Sequence, residues 1–254
     1  MRIAITRGVS PRIAQCELTH LERVAIDPEV AAEQHRRYEE CLAELGCTVR
    51  ALPADPELPD CVFVEDTAIV VEELAVITRP GAASRRAEVA AVADALRADR
   101  PLVHVTDPGT IDGGDVLVID RDVTIGRSRR TNAEGVRQVR AALEPLGYTV
   151  KTVPVTACLH LKSAVGRVGP GTVLLNPAWV DPAAFGAAKV IEVDPAEPGA
   201  AGALLIGDTV VYPSAFERTR RRLTDAGVRT VVVDLSELVK AEAGVTCCSL
   251  VFAV

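Results

Sequence analysis

The sequence predicts an α/β fold: a pseudo-symmetric, five-bladed α/β propeller closed by pairing of its N- and C-terminal strands. Three observations predict it. An amphipathic helix that ends near a glycine and leads into a short β-branched strand recurs five times along the 254 residues. A hairpin follows each of the first four copies. The fifth copy is followed only by "TCCSLVFAV", so one strand is missing there, while "RIAIT" at the start is spare. Pairing those two segments would remove an exposed edge pair. A doubly wound α/β sheet is the competing architecture. The whole chain, residues 1–254, reads as a single catalytic domain.

The clearest copies are "YEECLAELGCTVRALPA" (38–54), "VRQVRAALEPLGYTVKTVPV" (136–155) and "RTRRRLTDAGVRTVVVDL" (218–235). Two looser ones are "VAAVADALRADRPLVHVTD" (89–107) and "FGAAKVIEVD" (185–194). Asp27 before Pro28 reads as an N-cap followed by a first helical residue. Thr131 with Glu134, and Ser214 with Glu217, fit the capping box. Gly46, Gly147 and Gly227 lie where a helix can be closed by a residue with positive φ. The hairpins span 61–78, 113–126, 159–176 and 202–213, with turns containing E-E, D-R-D, G-P-G and G-D.

Composition excludes several classes. With 48 % hydrophobic and 25 % charged residues the chain is an ordinary globular one. No apolar run approaches the 18 or so residues of a membrane span, and "MRIAITRGVS" lacks the apolar core of a secretory leader. A cytoplasmic location is the expectation. The net charge of −7 disfavours a phosphate backbone as partner and suits a cationic ligand. Arginine outnumbers lysine 24 to four, so the run from Arg218 to Arg222 reads as a solvated helix face rather than a nucleic-acid patch. Seven cysteines without a C-x-x-C pair, and four histidines without ligand spacing, indicate neither a disulfide framework nor a metal site. The oligomeric state is not encoded legibly; a homodimer is compatible with the chain.

Around a five-fold axis, residues at equivalent positions meet. At the start of each hairpin the chain offers Glu65 and Asp66, then Asp112 and Asp115, then His160 and Lys162, the bland "AGAL" (201–204), and finally Cys247. Each alone has a plain explanation: a small buried thiol, a structural histidine, acidic turn formers. Together, a thiol and an imidazole with nearby carboxylates form the minimal set for nucleophilic catalysis at carbon. Strand alternation then assigns the Cys247–Cys248 doublet, Cys247 facing the hub and Cys248 the core. Three acids, Glu65, Asp66 and Asp112, around one small hole are costly unless a cation fills it. The hole is suited to a guanidinium or ammonium ion.

Several strings, "LPDCVFVEDTA", "ITRPGAASRR", "DGGDVL", "GRSRRTNAEG", "LHLKS" and "GVTCCSL", together resemble the dimethylarginine dimethylaminohydrolases, guanidine-modifying enzymes of the pentein fold. The resemblance runs over essentially the whole chain. It implies cofactor-free hydrolysis of Nω-methylated arginine to citrulline and a methylamine through a covalent thiouronium, with no metal. By it, Cys247 is the nucleophile, His160 the acid and base, and Asp112 the acid that orients both imidazole and guanidinium. Glu65 and Asp66 match residues holding guanidinium nitrogens, Asp60 a contact to the α-amino group, and Arg85 and Arg130 a grip on the α-carboxylate. Leu18 falls in a lid loop, and Ala241 contributes backbone contacts. "KAEAGVTCC" departs from the pattern: Glu242 and Ala243 stand where Asp then Gly is usual, which bears on the pocket at the α-amino end. An arginine or agmatine deiminase would share the same catalytic logic. A non-catalytic, ribosome-binding ring is the alternative of another class, though it has no use for a Cys/His/carboxylate set.

Overall fold

The computed structural model describes all 254 residues. In chain order its elements are β1 (Arg2–Arg7), α1 (Pro28–Glu44), β2 (Cys47–Leu52), β3 (Ala68–Val70), β4 (Ala75–Ile77), α2 (Val89–Leu96) and β5 (Leu102–His104). There follow β6 (Val116–Ile119), β7 (Asp122–Arg127), α3 (Ala133–Leu143), β8 (Thr149–Pro154), α4 (Leu161–Ala164), β9 (Val165–Gly169), β10 (Thr172–Leu175) and β11 (Lys189–Glu192). The chain completes with β12 (Leu204–Ile206), β13 (Thr209–Pro213), α5 (Glu217–Asp225), β14 (Arg229–Val233), α6 (Ser236–Val239) and β15 (Leu250–Ala253).

The strands form five three-stranded sheets: β3-β4-β5, β6-β7-β8, β9-β10-β11, β12-β13-β14 and β15-β1-β2. Each has one antiparallel and one parallel pair, as a hairpin followed by a crossover requires. α1, α2, α3 and α5 make four of the crossovers, but the helix expected from "FGAAKVIEVD" is absent, the β10–β11 connection holding only a 3-10 turn at Pro182–Phe185. The last sheet is assembled from both ends of the chain, with Arg2 opposite Ala253 and Ile5 opposite Leu250.

No hydrogen-bond ladder joins one sheet to the next; the ring is closed by side chains. Five apolar clusters each bridge two neighbouring sheets. Ile3 and Phe252 meet Ala75 and Ile77; Ile69 and Val76 meet Val123 and Ile125; Leu117 and Val153 meet Val173 and Leu175. Leu174 and Ile191 then meet Val210 and Tyr212, and Val211 and Val233 return to Ala4 and Cys47. At about 25 cal/mol per Å² of apolar area, these clusters are what opposes opening of the ring.

Local signals hold in part. Asp27 caps α1, accepting from the amides of Glu29 and Val30, and Gly46, Gly147 and Gly227 have φ of +82° to +85°. The two capping boxes do not form. Asn132, not Thr131, caps α3 by accepting from the Gly135 amide at 2.8 Å, because the Thr131 hydroxyl is drawn instead to buried Asp115 at 2.6 Å. α5 begins at Glu217 after Phe216 with no side-chain cap. No helix is long and apolar enough to cross a membrane.

Candidate active site

Just before the inner strand of every sheet the chain makes a single tight turn: 64–67, 113–115, α4, 198–201 and 245–248. These turns put Glu65, Asp66, Asp112, His160 and Cys247 around the axis. The cysteine doublet therefore sits in a turn, not in a strand as alternation anticipates. The outcome for the two thiols is the same: Cys248 is fully buried in an apolar cluster, while Cys247 lines a cavity of about 400 Å³ with Glu65, His160, Lys162 and Glu242. A recess of about 20 Å³ shares His160, Cys247 and Glu242 with it and adds Asp60, Asp66, Arg85, Arg130 and Ala241.

The imidazole lies between two carboxylates. His160 Nε2 is 3.0 Å from Asp112 Oδ2 and Nδ1 is 3.8 Å from Asp66 Oδ1. Burial alone would lower its pKa, but Asp66, Asp112 and Asp115 raise it to about 9. Asp66 goes the other way: against burial, His160 and Arg85 hold it down at about 2. At neutral pH the pair is an imidazolium beside a carboxylate. The two glycines of "DGGD" allow this packing, since a Cβ on Gly113 would lie 2.0 Å from the Glu65 carbonyl oxygen and one on Gly114 2.6 Å from His160 Nδ1.

Cys247 Sγ accepts from the Gly244 amide at 3.3 Å, and its carbonyl accepts from the Glu65 amide at 3.1 Å. Burial, then Glu65 and Asp66, push the thiol up to about 12. An incoming cation would reverse the two electrostatic contributions. The turn is held from behind by Tyr38, fully buried on α1, whose hydroxyl donates to the Val245 carbonyl at 2.7 Å and lies 2.6 Å from Ser249 Oγ.

Arg85 is 4 % exposed and spans two acids: Nη1 donates to Asp66 at 2.7 Å, while Nε and Nη2 donate to Glu88 at 3.1 and 2.8 Å. Burial raises Glu88 to about 7 in spite of Arg85. Arg130 Nη1 is 3.6 Å from Asp112 Oδ2. Asp66, Asp112 and His160 place ligand-type atoms within 4.8 Å of one another. A metal cation there would face two guanidiniums and an imidazolium that already neutralise both carboxylates.

A family model described as N,N dimethylarginine dimethylhydrolase, eukaryotic, matches residues 17–171. The N(G),N(G)-dimethylarginine dimethylaminohydrolase of Streptomyces coelicolor is 45% identical over 250 residues, covering 97% of this chain and 95% of that protein. The chain belongs to the dimethylarginine dimethylaminohydrolase family. The Pseudomonas aeruginosa member, as a Cys-to-Ser variant complexed with citrulline, superposes with a TM-score of 0.94 at 33% identity, covering 98% of each chain. A His-to-Gly family member captured as an adduct with S-methyl-L-thiocitrulline gives 0.93 at 33% identity, covering 99% of this chain and 100% of that one.

Residues that the family pattern assigns to the α-amino group (Asp60, Glu242) and to the α-carboxylate (Arg130) are engaged within the protein itself. Asp60 accepts from the Glu17 amide at 3.1 Å, and Arg130 Nη2 donates to Thr19 Oγ1 at 3.0 Å. Glu242, at φ +61°, accepts from the Thr19 amide at 3.0 Å and from those of His20 and Leu21. Glu242 thereby ties the 19–21 loop to the segment before Cys247. Leu18 packs against an apolar cluster, and it is His20 and Leu21 that line the cavity. Glu88 and Tyr38, and Trp179 and Phe216, which line the larger cavity, have no place in the sequence-based expectations. Glu88 alone left a trace, three residues after Arg85 on a helical turn.

Proposed function

We propose that the protein hydrolyses Nω-methylated arginine to citrulline and a methylamine. The observation that carries this reading is the placement of Cys247 and His160 on one cavity that also presents the carboxylates Glu65 and Glu242, with Asp60 and Asp66 in the adjoining recess. Family membership supports it. The whole chain acts as one catalytic unit, with Asp60, Glu65, Asp66, Arg85, Arg130, Ala241 and Glu242 around the substrate and Leu18 in the covering loop.

The cationic guanidinium enters beside Glu65 and Asp66 and offsets the charges that keep the Cys247 thiol protonated, so the thiol proton is lost to solvent. The thiolate adds to the guanidinium carbon and gives a neutral tetrahedral adduct. His160 passes its proton to the methylated nitrogen, the C–N bond breaks, and a neutral amine leaves a positively charged thiouronium on sulfur. The imidazole, now neutral, takes a proton from water as the oxygen attacks the same carbon. When the C–S bond breaks, the proton on that oxygen goes to sulfur, restoring thiol and imidazolium with citrulline free. Asp112 fixes the ring throughout through its 3.0 Å contact to Nε2.

The test is a panel of asymmetric dimethylarginine, monomethylarginine, arginine and agmatine, with both amine and ureido products measured. Dimethylamine and citrulline in equal amounts from the first are expected. Faster ammonia release from arginine or agmatine would instead make it a deiminase.

Because His160 must be protonated to release the amine, kcat/KM is expected to fall as pH rises through about 9. In Asp112→Asn, which removes one of the acids that raise the imidazole, that alkaline limb moves to lower pH, by on the order of one unit. A pH–rate profile with an unmoved limb would detach it from His160.

A further inference from the structure

The hub has a second face. On and just before the inner strands, alternate residues stack around the axis in two rings. The inner ring, Ala68, Val116, Val165, Ala203 and Ser249, is buried, and the outer ring, Val70, Val118, Arg167, Leu205 and Val251, is half-buried. They enclose a cavity of about 300 Å³ whose outer end faces solvent. Only Glu65, Lys162 and Thr246 line both this cavity and the one holding Cys247. Lys162 Nζ and Glu65 Oε1, 2.6 Å apart, form the partition. Glu65 is 6 % exposed, and its other oxygen, Oε2, is buried with no partner.

The order of steps gives this cavity a use. The amine is the first product, and it must depart before water attacks. At that moment the rest of the substrate is still bonded to Cys247, beneath the 19–21 loop that Glu242 ties down. We infer that the hub is the exit for the first product: a small neutral dialkylamine passes the Glu65–Lys162 partition and leaves by the face opposite the thiol. The inference rests on the proposed methylarginine hydrolysis.

The chemistry of the walls fits that passenger. His160 has already given its proton, so the departing molecule is uncharged, with one N–H and two methyl groups. Glu65 Oε2 is an unused acceptor for that N–H at the threshold, and beyond it nine-tenths of the two rings is apolar or hydroxyl-bearing. Lys162 is a single flexible side chain on α4, so moving the partition needs one rotamer change and no backbone shift. The amine takes up a proton from water once outside.

Val118→Trp and, separately, Arg167→Trp narrow the outer ring without touching the cavity of Cys247. With asymmetric dimethylarginine, each is expected to lower kcat about tenfold, with KM unchanged or lower, because release rather than binding is hindered. The loss shrinks with monomethylarginine, whose amine is smaller. In the wild type, added dimethylamine inhibits without competing against substrate; in the variants that inhibition is lost. Variants that melt like the wild type, turn over at its rate and keep its amine inhibition would overturn the exit. Should a tryptophan variant not fold, purely competitive inhibition of the wild type by dimethylamine overturns it equally. A wild type that releases no amine from any methylated arginine removes the underlying reading, and the exit with it.

Discussion

Cys247→Ser is expected to reduce citrulline formation by about 10³-fold or more while the protein folds as before. Serine keeps the size of the side chain and can still accept from the Gly244 amide that now meets Sγ at 3.3 Å. What it loses is ionisability. The cavity raises even a thiol to about 12, and a hydroxyl starts far higher, so a substrate cation sufficient to release the thiol proton leaves the hydroxyl intact. The variant should bind substrate without consuming it, which isothermal titration beside a citrulline assay would read. Wild-type turnover in a serine variant would remove Cys247 from the chemistry.

The largest expected effect on stability is at Arg85. Replacing it by leucine strands Asp66 and Glu88, both almost fully buried, and breaking such a pair typically costs about 3–5 kcal/mol. Glu88, already near 7 with its partner in place, goes higher without it. It is therefore neutral below that pH, and the destabilisation should be largest in alkaline buffer and smaller near pH 6. Adding Glu88→Leu removes one stranded acid and should return part of the loss. Urea denaturation of the wild type, the single and the double variant at two pH values measures all of this. Equal loss at both pH values would show that Glu88 is not the stranded group.

The ring was legible because its grammar is local. A helix closed by Gly46, Gly147 or Gly227 and followed by β-branched residues needs no tertiary knowledge to recognise, and the five bridging clusters follow from it. Local rules failed where a tertiary partner outbid them. Thr131 abandons its cap for Asp115, and the Cys247 segment is a turn because Tyr38 and Glu65 hold its backbone. The convergence of Glu65, Asp66, Asp112, His160 and Cys247 was readable from equivalent positions in the repeat. Their pairing was not: the family resemblance singles out Arg85 as a substrate contact, but its bridge between Asp66 and Glu88 and the hold of Tyr38 on the Val245 carbonyl depend on packing that no local pattern encodes. Glu242 was visible as a departure from the family pattern, but its reach to three backbone amides depends on where the 19–21 loop lies.

The sheet built from both termini has a bearing on how the molecule is made. Arg2–Ile5 are synthesised almost 250 residues ahead of their antiparallel neighbours, Leu250–Ala253. Until Leu250–Ala253 are made, one flank of β1 is an unsatisfied template, and the thiol turn has no framework. The reactive centre thus cannot form before residues 245–253 are made, and a translation product interrupted ahead of them carries a raw strand flank that invites clumping or chaperone capture.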